Sequence, residues 1–137
     1  MLTLLIISDD FTGALDTGVQ FAARGAITSV ITHPGFDFSS IDKELQVLVI
    51  DAETRHLKPE SAYSVVRQIV EKALKNGVFC IYKKTDSALR GNVGAELTGV
   101  LDAAGADRLP FVPAFPKTGR VTLNGIHFIK GIPVAES

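Results

Sequence analysis

The sequence has few of the features that mark a stapled, membrane-bound or nucleotide-gripping protein. It carries one cysteine, Cys80, in 137 residues. That excludes an intramolecular disulfide, and Cys80 alone cannot build a cysteine-based zinc site. The thiol lies in the apolar run Val78-Phe79-Cys80-Ile81-Tyr82 and reads as buried and structural. No apolar stretch approaches the roughly 20 residues needed to cross a bilayer, so no membrane partner is expected. No basic leader stands before the apolar start Met1-Leu2-Thr3-Leu4, so no signal peptide is expected and a cytoplasmic location is. Neither sign of charge is in excess: 14 Lys and Arg face 15 Asp and Glu, for a net charge of -1. Bulk electrostatics therefore argue against nucleic acid as a partner. The glycine-rich phosphate loops GxGxxG and GxxxxGK[ST] are both missing, so the chain shows no nucleotide site of its own. There is no internal repeat, low-complexity tract or linker.

What is present is apolar and rhythmic. The chain is 46% hydrophobic with a mean hydropathy of +0.25, which excludes a disordered polymer. Its length suits one domain. Leu2–Ile7, Ile27–Thr32, Gln46–Ile50, Val78–Tyr82 and Leu109–Val112 read as short strands, apolar enough to be covered on both faces. Between them lie helical patterns. Ala14, Leu15, Gly18, Val19 and Ala22 share one face. Pro59 opens the clearest helix, in which Ala62, Val65, Val66, Ile69, Val70, Ala73 and Leu74 repeat at helical spacing. Asn92 is placed to cap a third, with Val93, Leu97, Val100, Leu101 and Ala104 inward. Gly25, Gly77 and Gly105 end the three. This is the βαβ rhythm of an α/β, three-layer, doubly wound and mainly parallel sheet of about five strands. Asn124-Gly125 and Lys130-Gly131 then signal turns, the second joining Ile126–Ile129 to Ile132–Val134 as a C-terminal β-hairpin.

Ligands of open parallel sheets bind outside the carboxyl ends of the strands. Four of the five predicted strand ends are loaded: Asp9-Asp10-Phe11-Thr12-Gly13, Asp51-Ala52-Glu53-Thr54-Arg55-His56, Lys83 through Asn92, and Pro113 through Arg120. Arg55, Lys83, Lys84, Arg90, Lys117 and Arg120 supply cations that match a carboxylate or phosphate. Asp9, Asp10, Glu53 and Asp86 accept hydrogen bonds from hydroxyls, while Ser87 and Asn92 stand near a helix start that favours an anion. Carboxylates beside cations describe a polyhydroxylated anion such as a sugar acid or sugar phosphate. Plainer roles compete: Asp10 or Thr12 as a helix cap, and Lys84 and Arg90 as solvated surface. His33 and His127 have no metal-ligand spacing and read as surface or packing residues. His56 stands apart only by its place in a loaded loop.

Two functional readings follow. In one, a receiver-like phosphoacceptor domain uses Asp9, Asp10 and Asp51 with Mg²⁺, beside Thr85 and Lys117. The expected hairpin ending and the arginines count against it. In the other, Asp9-Asp10-Phe11-Thr12-Gly13-Ala14, Asp51-Ala52-Glu53-Thr54-Arg55, Lys83 through Asn92, Pro113-Ala114-Phe115-Pro116 with Gly119-Arg120, and Gly131-Ile132-Pro133-Val134 are taken together. In that order they resemble the four-carbon acid sugar kinases, over essentially the whole chain. The resemblance implies an ATP-dependent kinase acting on a hydroxyl of threonate, erythronate or a 3-oxo-tetronate. It implies a sugar-acid pocket of Asp10, Arg55, Lys84, Asp86, Ser87, Arg90 and Arg120, with Asp9 and Lys117 as weaker members. Charge puts Arg55, Lys84 and Arg90 near the carboxylate and Asp10 and Asp86 on the hydroxyls. Family members pair an N-terminal sugar-acid-binding domain with a C-terminal ATP-binding domain. Residues 1–137 are thus expected to be one domain, the front part of the N-terminal half of a two-domain kinase. ATP and Mg²⁺ would serve the full enzyme, the missing ATP-binding domain being a partner, and the fragment alone would bind sugar acid without phosphorylating it. A non-catalytic sugar-acid-binding module is the remaining alternative. An open sheet edge favours a homodimer.

Overall fold

The computed structural model describes residues 2–137. Four parallel strands form the main sheet: β1 (Leu4–Ser8), β2 (Thr28–Ile31), β3 (Val47–Asp51) and β4 (Ile81–Lys84). Their order is β2-β3-β1-β4. Helix α1 (Phe11–Ala22) joins β1 to β2, α2 (Pro59–Lys75) joins β3 to β4, and α3 (Val93–Ala104) follows β4. Alternation along the central strands divides the core into two layers. Leu5, Ile7, Leu48 and Ile50 pack on Val66, Ile69, Val70 and Ala73 of α2. Ile6, Val47 and Val49 pack on Ala14 of α1, on the other face. The sheet is therefore doubly wound, as its sequence rhythm predicts. Among the described residues no helix is long and apolar enough to cross a membrane.

The strand order excludes a receiver, whose doubly wound sheet runs 2-1-3-4-5 with β1 beside β2. Here β3 lies between them. Among the described residues no group of three His, Cys, Asp or Glu side chains is placed to hold a metal ion.

Several local expectations are corrected. Leu109–Val112 pairs with no strand; it contains Pro110 and is followed by Pro113, and a proline ring removes the N–H a ladder needs. Leu15 and Val19 of α1 are 45% and 54% exposed. The helix instead buries Gly13, Ala14, Thr17 and Gly18, because it lies too close to the sheet for larger side chains: a Cβ on Gly18 would come 3.1 Å from Val30 Cγ2. In α3 the fully buried positions are Glu96 and Gly99, not the apolar stripe, since α3 lies against α2 with Gly99 over the Tyr63 carbonyl. Cys80 is exposed. It precedes the edge strand β4, where Val78 points inward and Phe79, 78% exposed, points out.

A second, antiparallel sheet follows: β5 (Arg120–Leu123), β6 (Ile126–Ile129) and β7 (Ile132–Pro133). Both of its turns are those the sequence signals. Asn124-Gly125 and Lys130-Gly131 take positive φ at both residues, the conformation of tight two-residue hairpins.

Candidate functional site

The helices following the neighbouring strands β1 and β3 lie on opposite faces of the sheet, and a crevice opens at such a point. Ser8, Asp51 and Lys84 stand side by side in register at the carboxyl edge. From there a cleft of about 1100 Å³ runs between α1, β4, α3 and the segment before β5. Asp10, Arg55, Lys84, Asp86, Ser87, Arg90, Lys117 and Arg120 all line it. Asp9 does not; at 2% exposure it lies beneath the floor.

Arg55 is the hub. Its Nε donates to Asp9 Oδ2 at 2.8 Å, its Nη1 meets Asp10 Oδ2 at 2.6 Å, and its Nη2 stands 3.9 Å from Asp86 Oδ1. Burial works against the Arg55 charge, but the hydrogen bond to Asp9 and the fields of Asp9, Asp10 and Asp86 hold its pKa above the ordinary value. Asp10 has two tasks at once: its other oxygen, Oδ1, accepts the Gly13 N–H at 2.9 Å as the N-cap of α1. One side chain thus caps α1 and meets Arg55 in the cleft.

Asp86 is gripped in a fork. Arg90 Nε and Nη2 donate to its two oxygens at 2.8 Å each, and the backbone N–H groups of Ala88 and Arg90 add bonds at 3.2 Å. The Arg90 guanidinium holds the Asp86 carboxyl far below the usual carboxylate range, against burial. Leu89 and Gly91 in this loop take positive φ, as does Glu53 in the loop after β3. Gly91 needs it for a second reason: its backbone presses on Arg55, whose Cγ would lie 3.1 Å from a Cβ there.

The small sheet closes the far side. Arg120 Nη1 donates to Ser87 Oγ at 2.6 Å. His127, 6% exposed, bridges Thr122 Oγ1 at 2.9 Å and the Ser87 carbonyl at 2.8 Å, which is a packing role. Lys84 Nζ donates to the Thr85 carbonyl at 2.7 Å. Among the described residues no carboxylate pairs with Lys84, Lys117 or Arg120. These three are the cations with capacity left for a ligand.

Two sequence expectations about this edge change. Lys83 is no surface cation: it is buried on the opposite face against Glu96. Strand alternation is the signal that separates it from Lys84. Asn92 stands at the N-cap of α3 but makes no side-chain cap; it donates instead to the Thr54 and Leu57 carbonyls at 2.8 Å each. Glu96 and Thr54, which sequence reading passed over, are buried partners there. Asp51, whose Oδ2 has no hydrogen-bond partner, has its pKa raised by burial.

A family model described as a sugar-binding N-terminal domain matches residues 4–137. The chain is similar to a D-threonate kinase of Salmonella typhimurium, 35% identical over 137 residues, 99% of this chain and 32% of that protein. A D-erythronate kinase of Heliobacterium modesticaldum is 36% identical over 138 residues, 100% of this chain and 31% of that one. A 3-oxo-tetronate kinase of Haemophilus influenzae is 28% identical, covering 96% of this chain and 32% of its own length. The chain thus spans about a third of the length of the curated relatives it matches. Among solved structures, a domain of unknown function from Bordetella bronchiseptica, described with bound citrate and as a domain-swapped dimer, superposes with a TM-score of 0.85. It is 34% identical, over 98% of this chain and 34% of that one.

Proposed function

The chain belongs to the sugar-binding N-terminal domain family, and on that premise we propose that it is the substrate-binding part of an ATP-dependent kinase for a four-carbon sugar acid. The observation that carries this reading is the gathering of eight polar side chains, from the ends of β1, β3 and β4 and the segment leading into β5, around one cleft at the topological switch point. The pocket is Asp10, Arg55, Lys84, Asp86, Ser87, Arg90 and Arg120, with Asp9 anchoring Arg55 from below and Lys117 at the rim. The ion pairs refine the division of roles that charge alone suggests. Arg55 and Arg90 are already matched to Asp9, Asp10 and Asp86, so the ligand carboxylate goes to Lys84 and Arg120. The hydroxyls go to the outer oxygens of Asp10 and Asp86 and to Ser87. Polarised, pre-oriented carboxylates of this kind fix one hydroxyl for attack without reorganisation. The citrate of the Bordetella structure, a hydroxylated carboxylate, agrees with a cleft for this ligand class.

ATP and Mg²⁺ find no fit on these residues. The sequence has no glycine-rich phosphate loop, and the described residues hold no three-ligand metal cluster. On this reading donor binding belongs to the remainder of a longer protein. In that arrangement 2–137 forms the front part of a substrate-binding domain. A homodimer is the assembly this reading favours: β4 ends the main sheet with no partner strand among the described residues, and the Bordetella relative is a domain-swapped dimer. The test of the ligand class is thermal stabilisation by D-threonate, D-erythronate and 3-oxo-tetronate, with acetate as control. A ligand with a millimolar Kd, at about 50 mM, adds roughly 2.3 kcal/mol of stability, so a weak binder registers. A melting temperature unmoved by all three acids would refute the reading.

A further inference from the structure

Beneath the cleft floor lies a second polar cluster, whose polar side-chain ends face one another. Strand alternation points Lys84 toward α1, where its Nζ would stand 3.4 Å from a Cβ on Gly13. It points Lys83 the other way, onto the face that carries Ile81. There Lys83 Nζ meets Glu96 Oε2 at 2.9 Å, the two side chains being 3% and 1% exposed, and also donates to the Lys84 carbonyl at 2.8 Å. The other Glu96 oxygen accepts the Thr54 hydroxyl. One turn earlier on the same helix end, Asn92 holds the Thr54 carbonyl. Three segments are tied at this point: β4 through Lys83, the loop after β3 through Thr54, and the start of α3 through Glu96 and Asn92. Two of them carry a cleft cation one residue further on, Lys84 after Lys83 and Arg55 after Thr54.

A buried ion pair is a poor source of stability. Apolar residues of similar volume often do as well or better, because taking two charges out of water costs about as much as their attraction returns. What the pair supplies, and an apolar pair does not, is a fixed distance and direction between the three segments. We propose that Lys83, Glu96 and Thr54 form a positioning unit that sets the spacing of Lys84 and Arg55. That spacing fixes the distance from Lys84, which takes the ligand carboxylate, to the Asp10 and Asp86 carboxylates that Arg55 holds, and so selects the length of the sugar acid the cleft accepts. The selection rests on the sugar-acid reading of the cleft; the positioning of the two cations does not.

The experiment compares the wild type with the double variant Lys83→Met/Glu96→Leu, with Thr54→Val and with Thr54→Ser. One readout needs no ligand: the Arg55 side-chain Nε–H resonance, which reports the bond to Asp9 at 2.8 Å, and the Lys84 amide. The double variant and Thr54→Val shift both signals and speed exchange of the Arg55 Nε–H about tenfold. Thr54→Ser, which keeps the hydroxyl, restores them. The second readout is affinity for three-, four- and five-carbon sugar acids. The double variant binds the four-carbon acid about tenfold more weakly, the equivalent of one weakened hydrogen bond. It also loses the preference over the other lengths while unfolding cooperatively. Unmoved Arg55 and Lys84 resonances in the double variant overturn the proposal, whether or not any acid binds. So does a lower melting temperature with the length preference intact, which is what a purely structural role gives. Shifted resonances in the variants, beside a wild type that binds no acid, uphold the positioning and refute the cleft reading instead.

Discussion

Arg90→Ala tests the electrostatics of the cleft in one substitution. Arg90 makes two charge-assisted bonds of 2.8 Å to Asp86, whose side chain is 8% exposed, while Arg90 itself is 63% exposed. Hydrogen bonds to charged groups are worth about 1.5–3 kcal/mol, and solvent screening of so exposed a partner reduces the pair to about 1–2 kcal/mol. The backbone N–H groups of Ala88 and Arg90 remain on Asp86 in the variant, so the carboxylate is not stranded. For a domain of this size the expected fall in melting temperature is about 4–8 °C. The pH dependence carries the sharper test. Asp86 is held below its ordinary value by Arg90 first, and also by the backbone bond and Arg55. A depressed acid contributes stability that is full above its unfolded pKa, about 3.9, and lost as pH falls through its folded value. The gap between wild type and Arg90→Ala is therefore widest above about pH 5 and narrows steadily below about pH 4. Urea unfolding at a series of pH values reads this directly. A gap that stays constant from neutral pH into the acid range, or a variant as stable as the wild type at pH 7, would refute the reasoning.

Three further substitutions and one thiol probe bear on the packing. Gly91→Ala forces a Cβ onto a residue at φ +87° and against Arg55 Cγ at 3.1 Å. Chemical denaturation should show a loss of about 1–2 kcal/mol, together with weaker sugar-acid stabilisation; unaltered values for both count against the close approach. In α3, Gly99→Ala meets the Tyr63 carbonyl oxygen at 2.8 Å, whereas Gly94→Ala meets nothing within 4 Å. The first is expected to lower the melting temperature through overpacking of about 1–3 kcal/mol, and the second to raise it by up to about 1 kcal/mol of helix propensity. Cys80, being exposed, is expected to react with a chromogenic disulfide reagent in the native protein without a lag. Reaction only after denaturant would restore the buried-thiol expectation.

The order of elements and the position of the site were legible because both are written in local pattern. Doubly covered strands leave apolar runs such as Leu4–Ile7 and Val47–Ile50, and polar residues crowd where each run ends, at Asp9, Asp51 and Lys84. Asp10, Arg55, Lys84, Asp86, Ser87, Arg90, Lys117 and Arg120 line the cleft, whereas Asp9, a weaker member of the expected set, lies beneath its floor. What was not legible depends on distances between elements. Leu15 and Val19 continue a helical apolar stripe, yet glycine and alanine face the sheet because the helix approaches it closely. Val78–Tyr82 looks like a buried strand, but an edge position leaves Phe79 and Cys80 uncovered. The pairing of charges was equally hidden. Nothing local marks Lys83 as the partner of Glu96, 13 residues later on another element, nor commits Arg55 to Asp9 from 46 residues away. On the proposed reading Arg55 therefore orients Asp9 and Asp10 rather than anchoring the ligand carboxylate.

The central claim is that the cleft between α1, β4 and the small sheet takes a hydroxylated four-carbon carboxylate. A titration of the ¹⁵N-labelled chain with D-threonate or D-erythronate, followed by amide chemical shifts, tests it most directly. The account predicts saturable shifts gathered at the amides of Asp10–Gly13, Arg55, Lys84–Gly91 and Lys117–Arg120, with Gly35–Phe38 at the distant end of α2 unmoved. No saturable shift at tens of millimolar acid, or shifts gathered at Gly35–Phe38 instead, would contradict it.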